Sequence, residues 1–234
     1  MNATAWTFRF QDVWPDAKLW GVEIETRVGV TVYADVNLQF DVQTPGGIVH
    51  RSSYANGPFP SGLLAPALLG WQGETFHQIA GLEFFLPTVD YNKTKPAYIT
   101  TGYYSAAPAY WITWLPNDEI EASGSLVHHY NFKNDNTNHK SGQEFNLDWG
   151  LGYAVTPAWQ VGLNGYLYQQ TTDDTLNGNV VADGNRGRAV AIGPFVRYHP
   201  SKDWGITRKW QQEYLVENRA SGNRFFLQVS AKLW

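Results

Sequence analysis

The residues of this chain that could do chemistry are mostly charged side chains spaced two positions apart. Glu23, Glu25 and Arg27 follow one another in one segment, and Glu144 and Asp148 share the even positions of another. A spacing of two puts side chains on one face of an extended strand. Because the charges on these faces have both signs, we expect ion pairs and hydrogen bonds between facing strands.

A catalytic interpretation of these residues has little support. Ser125, His128 or His129, and Asp148 could form a nucleophilic arrangement, but strand parity directs His128 to the opposite face and no G-x-S-x-G motif is present. The adjacent side chains of His128 and His129 also point to opposite faces, so they cannot chelate one metal ion. No acidic segment has the spacing of an EF-hand. We expect no enzyme activity, no metal site and no cofactor.

Composition narrows the class of protein. The chain has 234 residues with 11 Trp, 13 Tyr and 12 Phe, yet its mean hydropathy is −0.37. No stretch approaches the roughly 18 apolar residues of a transmembrane helix. The lack of such a stretch does not exclude a transmembrane β-barrel, because the lipid-facing residues of a barrel alternate with polar ones. Zero cysteines exclude a disulfide scaffold, and the net charge of −4 argues against a nucleic-acid partner.

The elements that position the charged residues are strands. Apolar or small residues fill the even positions from Leu19 to Gln43, and this run is too long for an ordinary strand of about five or six residues. No segment holds a helical period. Alternation and turn residues predict eleven strands, at 5–12, 19–43, 62–71, 75–87, 104–115, 119–132, 144–155, 159–171, 188–199, 204–217 and 224–234.

The predicted connections alternate strictly between short and long. Short turns are expected at 14–17, 72–74, 115–118, 156–158 and 201–203, and long polar loops at 44–61, 88–103, 133–143, 172–187 and 218–223. A sandwich has no reason to sort its connections in this way, whereas an outer-membrane barrel has short periplasmic turns and long extracellular loops. Aromatic residues beside the short turns suit an interfacial belt: Trp14, Trp71, Trp114, Trp159 and Trp204.

The polar faces of these strands would then line a lumen. An Arg or Lys near the middle of the lipid face costs about 2–4 kcal/mol, so the basic residues fix which face points inward. An excess of acids on these faces predicts a modest preference for cations. The alternative is a plugged barrel, in which the inner charges only pair with one another. The predicted pore-lining residues are Glu23, Glu25, Arg27, Glu83, Glu144, Asp148, Tyr166, Arg197, Lys209 and Glu213.

An ordered set of motifs resembles a known family. Residues 137–149 (TNHKSGQEFNLDW), Val161–Tyr166 (VGLNGY), Ile192-Gly193-Pro194 and Glu217-Asn218-Arg219 are similar to the outer-membrane channels named after the meta-pathway of phenol degradation. Looser matches lie at Leu68–Trp71 and 86–91. The resemblance implies a monomeric twelve-stranded barrel with a narrow lumen, partly blocked by an N-terminal plug. It also implies passive uptake of small, often hydrophobic or aromatic, molecules across the bacterial outer membrane.

We therefore predict an all-β fold, a transmembrane antiparallel up-and-down β-barrel of about 12 strands, of which about 11 are readable. Residues 1–234 would form one domain that lacks the family's plug and first strand. The expected partners are outer-membrane lipid and small-molecule solutes. The alternative is a secreted β-sandwich that binds carbohydrate through exposed aromatic residues.

Overall fold

The computed structural model of the chain describes residues 2–44, 46–57, 61–87 and 102–233. Every regular element in these ranges is a strand, and none of the described residues forms a helix that could span a membrane. The strands are β1 (Asn2–Leu19), β2 (Val22–Thr44), β3 (Gly47–Gly57), β4 (Ser61–Gln72), β5 (Phe76–Pro87), β6 (Ser105–Trp114), β7 (Ile120–Asn131), β8 (His139–Lys140), β9 (Glu144–Thr156), β10 (Trp159–Gln170), β11 (Thr175–Leu176), β12 (Asn179–Val180), β13 (Arg188–Tyr198), β14 (Trp204–Glu217) and β15 (Asn223–Ala231).

The main sheet follows the chain in an up-and-down order. Its path is β1-β2-β4-β5-β6-β7-β9-β10-β13-β14-β15, with antiparallel neighbours throughout, and β3 pairs with β2 beside this path. The three two-residue strands β8, β11 and β12 form a second, small sheet. Within the described ranges β1 and β15 are not paired with each other, so the sheet is not closed. It is strongly curved all the same, because Arg9 of β1 and Arg224 of β15 line the same cavity.

One continuous sheet with this order is the fold of a membrane barrel rather than of a sandwich. The predicted all-β class and up-and-down barrel are confirmed, and the β-sandwich alternative is wrong. Eleven strands lie on the path of the main sheet, which agrees with the eleven readable in the sequence.

The connections sort the sheet into two ends. We call the end of the reversals at 20–21, 73–75, 115–119, 157–158 and 199–203 the short-turn end, and the other the long-loop end. The predicted turn at 14–17 is wrong, because β1 continues through it with an irregular register between Trp14 and Lys18. The chain reverses at Trp20 and Gly21, whose φ angles of 54° and 83° are those of a type I′ hairpin turn.

The long strand at the start of the chain extends beyond the rest of the sheet. The predicted run 19–43 agrees with β2, which has 23 residues, except that Leu19 ends β1 and residues 20–21 form the turn. Residues 23–31 of β2 pair with β4, whereas residues 34–44 pair with β3 in a long hairpin. The prediction of a loop over 44–61 is therefore wrong, because most of that segment is β3. The predicted loop at 88–103 lies almost entirely outside the described residues, as do positions 88–91 of the resemblance.

The two faces of the sheet differ as alternation requires. Large apolar side chains are exposed on the outer face, for example Leu151, Tyr153 and Val155 of β9. The five tryptophans expected in an interfacial belt are between 40% and 49% exposed on this face, and Tyr198 packs against both Trp159 and Trp204. Buried polar residues occupy the inner face, so the polarity is that of a barrel in lipid.

Candidate channel lumen

The first group of inner-face charges is a buried triad near β1 to β6. Arg27 donates to Glu25 at 2.8 Å and to Glu83 at 3.3 Å, and all three residues are at most 5% exposed. The guanidinium also lies 4.5 Å from the centre of the Trp111 ring. One arginine thus serves two carboxylates and one aromatic face, which joins β2, β5 and β6 across the inner wall.

The second group of inner-face charges lies on the strands from β7 to β13. Arg197 of β13 donates to Glu121 of β7 at 2.7 Å, although two strands, β9 and β10, lie between them in the sheet. Glu121 also accepts from the Gln160 amide at 3.0 Å and from the Ser123 hydroxyl at 2.8 Å. Side chains that reach across two strands narrow the interior, because they occupy space that water would otherwise fill.

The third group lies towards the long-loop end. Tyr166 donates to Glu213, which also pairs with Arg224 at 3.0 Å and accepts from the backbone amide of Gly222 at 2.8 Å. The Arg224 guanidinium lies 4.7 Å from the centre of the Tyr166 ring, and Arg219 lies 4.2 Å from that of Tyr168. Arginine over a tyrosine face is a favourable electrostatic contact.

The long-loop end is also tied together by one buried carboxylate. Asp174 is 6% exposed and accepts from the Gly142 amide, the Gln170 side chain and the Asn185 side chain at 2.8–2.9 Å. These contacts join the loop that follows β7 to the loop that follows β10. The two loops are therefore connected to each other through Asp174.

Three cavities follow one another along the inner face. The long-loop cavity, of about 470 Å³, includes Arg27, Tyr166 and Arg224 in its lining; the middle cavity, of about 250 Å³, includes Phe195 and Lys209. These two cavities share Trp111, Ser125 and Asp148 as lining residues.

The short-turn cavity, of about 560 Å³, is lined by residues of the 199–203 turn and shares Arg197 and Lys209 with the middle cavity. Adjacent cavities thus meet at common side chains from one end of the sheet to the other.

The predicted pore-lining residues fall into these groups. Glu25, Arg27 and Glu83 are brought together, as are Tyr166 and Glu213, while Arg197 pairs with Glu121. Asp148 and Lys209 line the middle cavity together, and Glu144 lines the long-loop cavity, where it accepts from Asn131. Glu23 is half-buried, and its backbone pairs with those of Lys18 and Gly70 away from the triad.

Several residues of the site were missing from the predicted set. Arg224 alternates with the outward Phe225 and Leu227, so its parity carried a signal that could have placed it on the inner face. Trp111 and Arg219 were missing as well, whereas strand alternation already places Arg9 and Glu121 on the polar faces, although neither was in the set of ten.

Glu217 shows where parity fails. It has the same parity as Glu213, but Leu215 has a φ of 51° and the register of β13 with β14 shifts between Arg188 and Val190. Val216 therefore packs against the inner cluster around Tyr166, and Glu217 pairs with Arg188 at an exposed position.

A curved sheet with an apolar outer face and a polar inner face is the architecture of outer-membrane β-barrels. A family model described as "Putative MetA-pathway of phenol degradation" matches residues 1–229, and the chain belongs to this family. This confirms the family predicted from the motifs.

Solved structures of low identity share the fold. An outer membrane channel from Pseudomonas putida F1 is similar with a TM-score of 0.70 and 10% identity, over 95% of this chain and 79% of that chain. The NanC porin is similar with a TM-score of 0.51 and 10% identity, over 98% of this chain and 100% of that chain. These neighbours are channels and porins rather than enzymes, and the fold places the chain in the bacterial outer membrane. A comparison with curated protein sequences found no match.

Proposed function

We propose that the protein is a monomeric channel through which small hydrophobic or aromatic molecules diffuse passively across the outer membrane. The observation that carries this proposal is the series of three cavities, which meet at shared side chains from the long-loop end to the short-turn end. Because neighbouring cavities share lining residues, they adjoin one another, as a path for small solutes along the inner wall requires.

The size and lining of the path favour small solutes with aromatic character. Aromatic faces lie along its length at Trp111, Tyr166, Tyr168 and Phe195, next to polar groups that can exchange hydrogen bonds with a passing solute. The Arg197–Glu121 pair crosses the interior and excludes large solutes. The ten predicted pore-lining residues, with Arg9, Trp111, Glu121, Arg219 and Arg224 added, form the proposed lining.

A pair of tryptophan variants tests this function. Ser125 lines both the middle and the long-loop cavities, whereas its neighbour Leu126 is 41% exposed on the outer face. The wild-type protein should let proteoliposomes take up phenol. In planar bilayers it should conduct ions. Ser125→Trp should abolish most of the phenol uptake and most of the ion conductance, because the indole fills the narrow part of the path.

The matched control is Leu126→Trp, which adds the same bulk to the lipid face and should leave uptake and conductance unchanged. Equal effects of the two variants would contradict a path through the lumen, and a wild-type protein that neither conducts nor transports phenol would favour the plugged barrel. The particle mass in detergent, measured by light scattering, checks the proposed monomer.

A further inference from the structure

The middle cavity is a hollow made by small side chains on one wall. Ser123 and Ser125 of β7 and Gly150 of β9 contribute little volume there, and Trp111, Phe195 and Lys209 line the same hollow. A volume of about 250 Å³ lies just below the usual range of roughly 300–1,000 Å³ for small-molecule sites. The hollow therefore suits a molecule with a single ring.

Four charged residues line this hollow, and two of them, Lys209 and Asp148, differ from the Arg197–Glu121 pair. Glu25, Arg27, Glu83, Glu121, Arg197, Glu213 and Arg224 all have ion-pair partners within 4 Å. Lys209 and Asp148 have no ion pair among the residues that the structure describes, although both line the middle cavity and each acts electrostatically on the other. Lys209 therefore keeps donor capacity for a ligand, and the Asp148 carboxylate, which also interacts with the Ser125 hydroxyl, keeps further acceptor capacity.

Aromatic residues stand beside both charges. Phe195 pairs with Lys209 across neighbouring strands, and Trp111 lines the hollow together with Asp148. A ring that enters the hollow meets two aromatic side chains, a cation that attracts a carboxylate and a carboxylate that accepts a hydrogen bond.

We propose that the middle cavity is a selectivity site for small aromatic carboxylates that carry a hydroxyl or amino group on the ring. Lys209 binds the carboxylate of the solute, Asp148 accepts the hydrogen bond from its ring substituent, and Phe195 and Trp111 hold the ring. This inference rests on the proposed channel function and names the class of solute for which the channel is selective.

Block of the single-channel current by 4-hydroxybenzoate, benzoate and phenol tests the site. In the wild-type protein 4-hydroxybenzoate should block at about tenfold lower concentration than benzoate, the effect of one charge-assisted hydrogen bond. Lys209→Gln should raise the blocking concentration of both carboxylates about tenfold and leave that of phenol unchanged. Asp148→Asn should reduce the difference between 4-hydroxybenzoate and benzoate to near twofold or less.

Lys140→Gln is the matched control, because it removes the same charge from the small loop sheet outside the hollow. Equal effects of Lys140→Gln and Lys209→Gln on 4-hydroxybenzoate would overturn the site and leave general electrostatic attraction. Equal block by phenol and 4-hydroxybenzoate would also overturn it, while phenol uptake by liposomes would still support the channel. A wild-type protein that neither conducts ions nor passes phenol would contradict the channel function itself. That result differs from the two outcomes above, which overturn the site alone.

Discussion

Replacement of Arg27 by methionine should destabilise the barrel more than any single change to its two carboxylate partners. Arg27 is 5% exposed and pairs with both Glu25 and Glu83, each 4% exposed. Methionine keeps an aliphatic side chain at this position but loses the guanidinium over the Trp111 ring, and it leaves two buried negative charges without this partner. Removal of one member of a buried ion pair costs about 3–5 kcal/mol, a large fraction of a total stability of about 5–15 kcal/mol.

The triad is asymmetric, because one arginine pairs with two glutamates. Glu25→Gln leaves Arg27 paired with Glu83, and the amide oxygen still accepts a hydrogen bond, so the expected cost is about 1 kcal/mol. The triple variant Glu25→Gln/Arg27→Met/Glu83→Gln removes all three charges and should recover most of the loss, because uncharged groups need no ionic partner in the interior.

Urea unfolding of the protein in lipid vesicles, followed by tryptophan fluorescence, measures these free energies. Arg208→Gln is the control, because Arg208 is exposed on the outer face and its removal should change stability by at most about 0.5 kcal/mol. If Arg27→Met is no more costly than Arg208→Gln, lumen water already screens the triad. If the triple variant is as unstable as Arg27→Met, the lost contact with Trp111 outweighs the charges.

Three further predictions concern the long-loop half of the lumen and the packing of its strands. Tyr166→Phe removes the hydrogen bond to Glu213 and should cost about 1.5–3 kcal/mol in the same urea assay; an unchanged midpoint would contradict this. Gly193→Ala should reduce the yield of folded barrel on unheated gels, because its Cβ would clash with the Trp210 carbonyl oxygen; wild-type yield would show that β14 can shift. Asp174→Ala should make the long loops sensitive to trypsin in intact vesicles, since three donors lose their acceptor; equal digestion of both proteins would refute its role.

The strands and their faces could be predicted because a period of two is a strong signal. The register of β9 with β10 follows the alternation without exception from Glu144 to Ala154. Three features could not be predicted in this way. Residues 44–61 are polar with prolines and glycines, so the hairpin of β3 looked like a loop. The reversal at Trp20 and Gly21 has weaker turn residues than the Pro-containing segment before it, and the bulge at Leu215 leaves no mark in composition.

Ion pairing across strands was also beyond the sequence, because it depends on curvature. Strand parity placed Arg197 and Glu121 on the same face, but only the curved sheet brings residues of β13 and β7 within 2.7 Å. The same holds for Arg27 and Glu83, which lie 56 positions apart. Local pattern specifies which way a side chain points, whereas the partner is decided by the radius of the sheet.

This distinction bears on the ion preference expected from the excess of acids. The predicted count of inner-face charges omitted Arg219 and Arg224, which offset Glu144 and Glu213. Paired charges at short distance act on a passing ion as dipoles, and their field falls off faster than that of a single charge. The inner-face charges with the longest reach are then those without an ion pair among the described residues. In the middle cavity these are Lys209 and Asp148, which have opposite signs, so selectivity there depends on how a solute fits between them rather than on net charge.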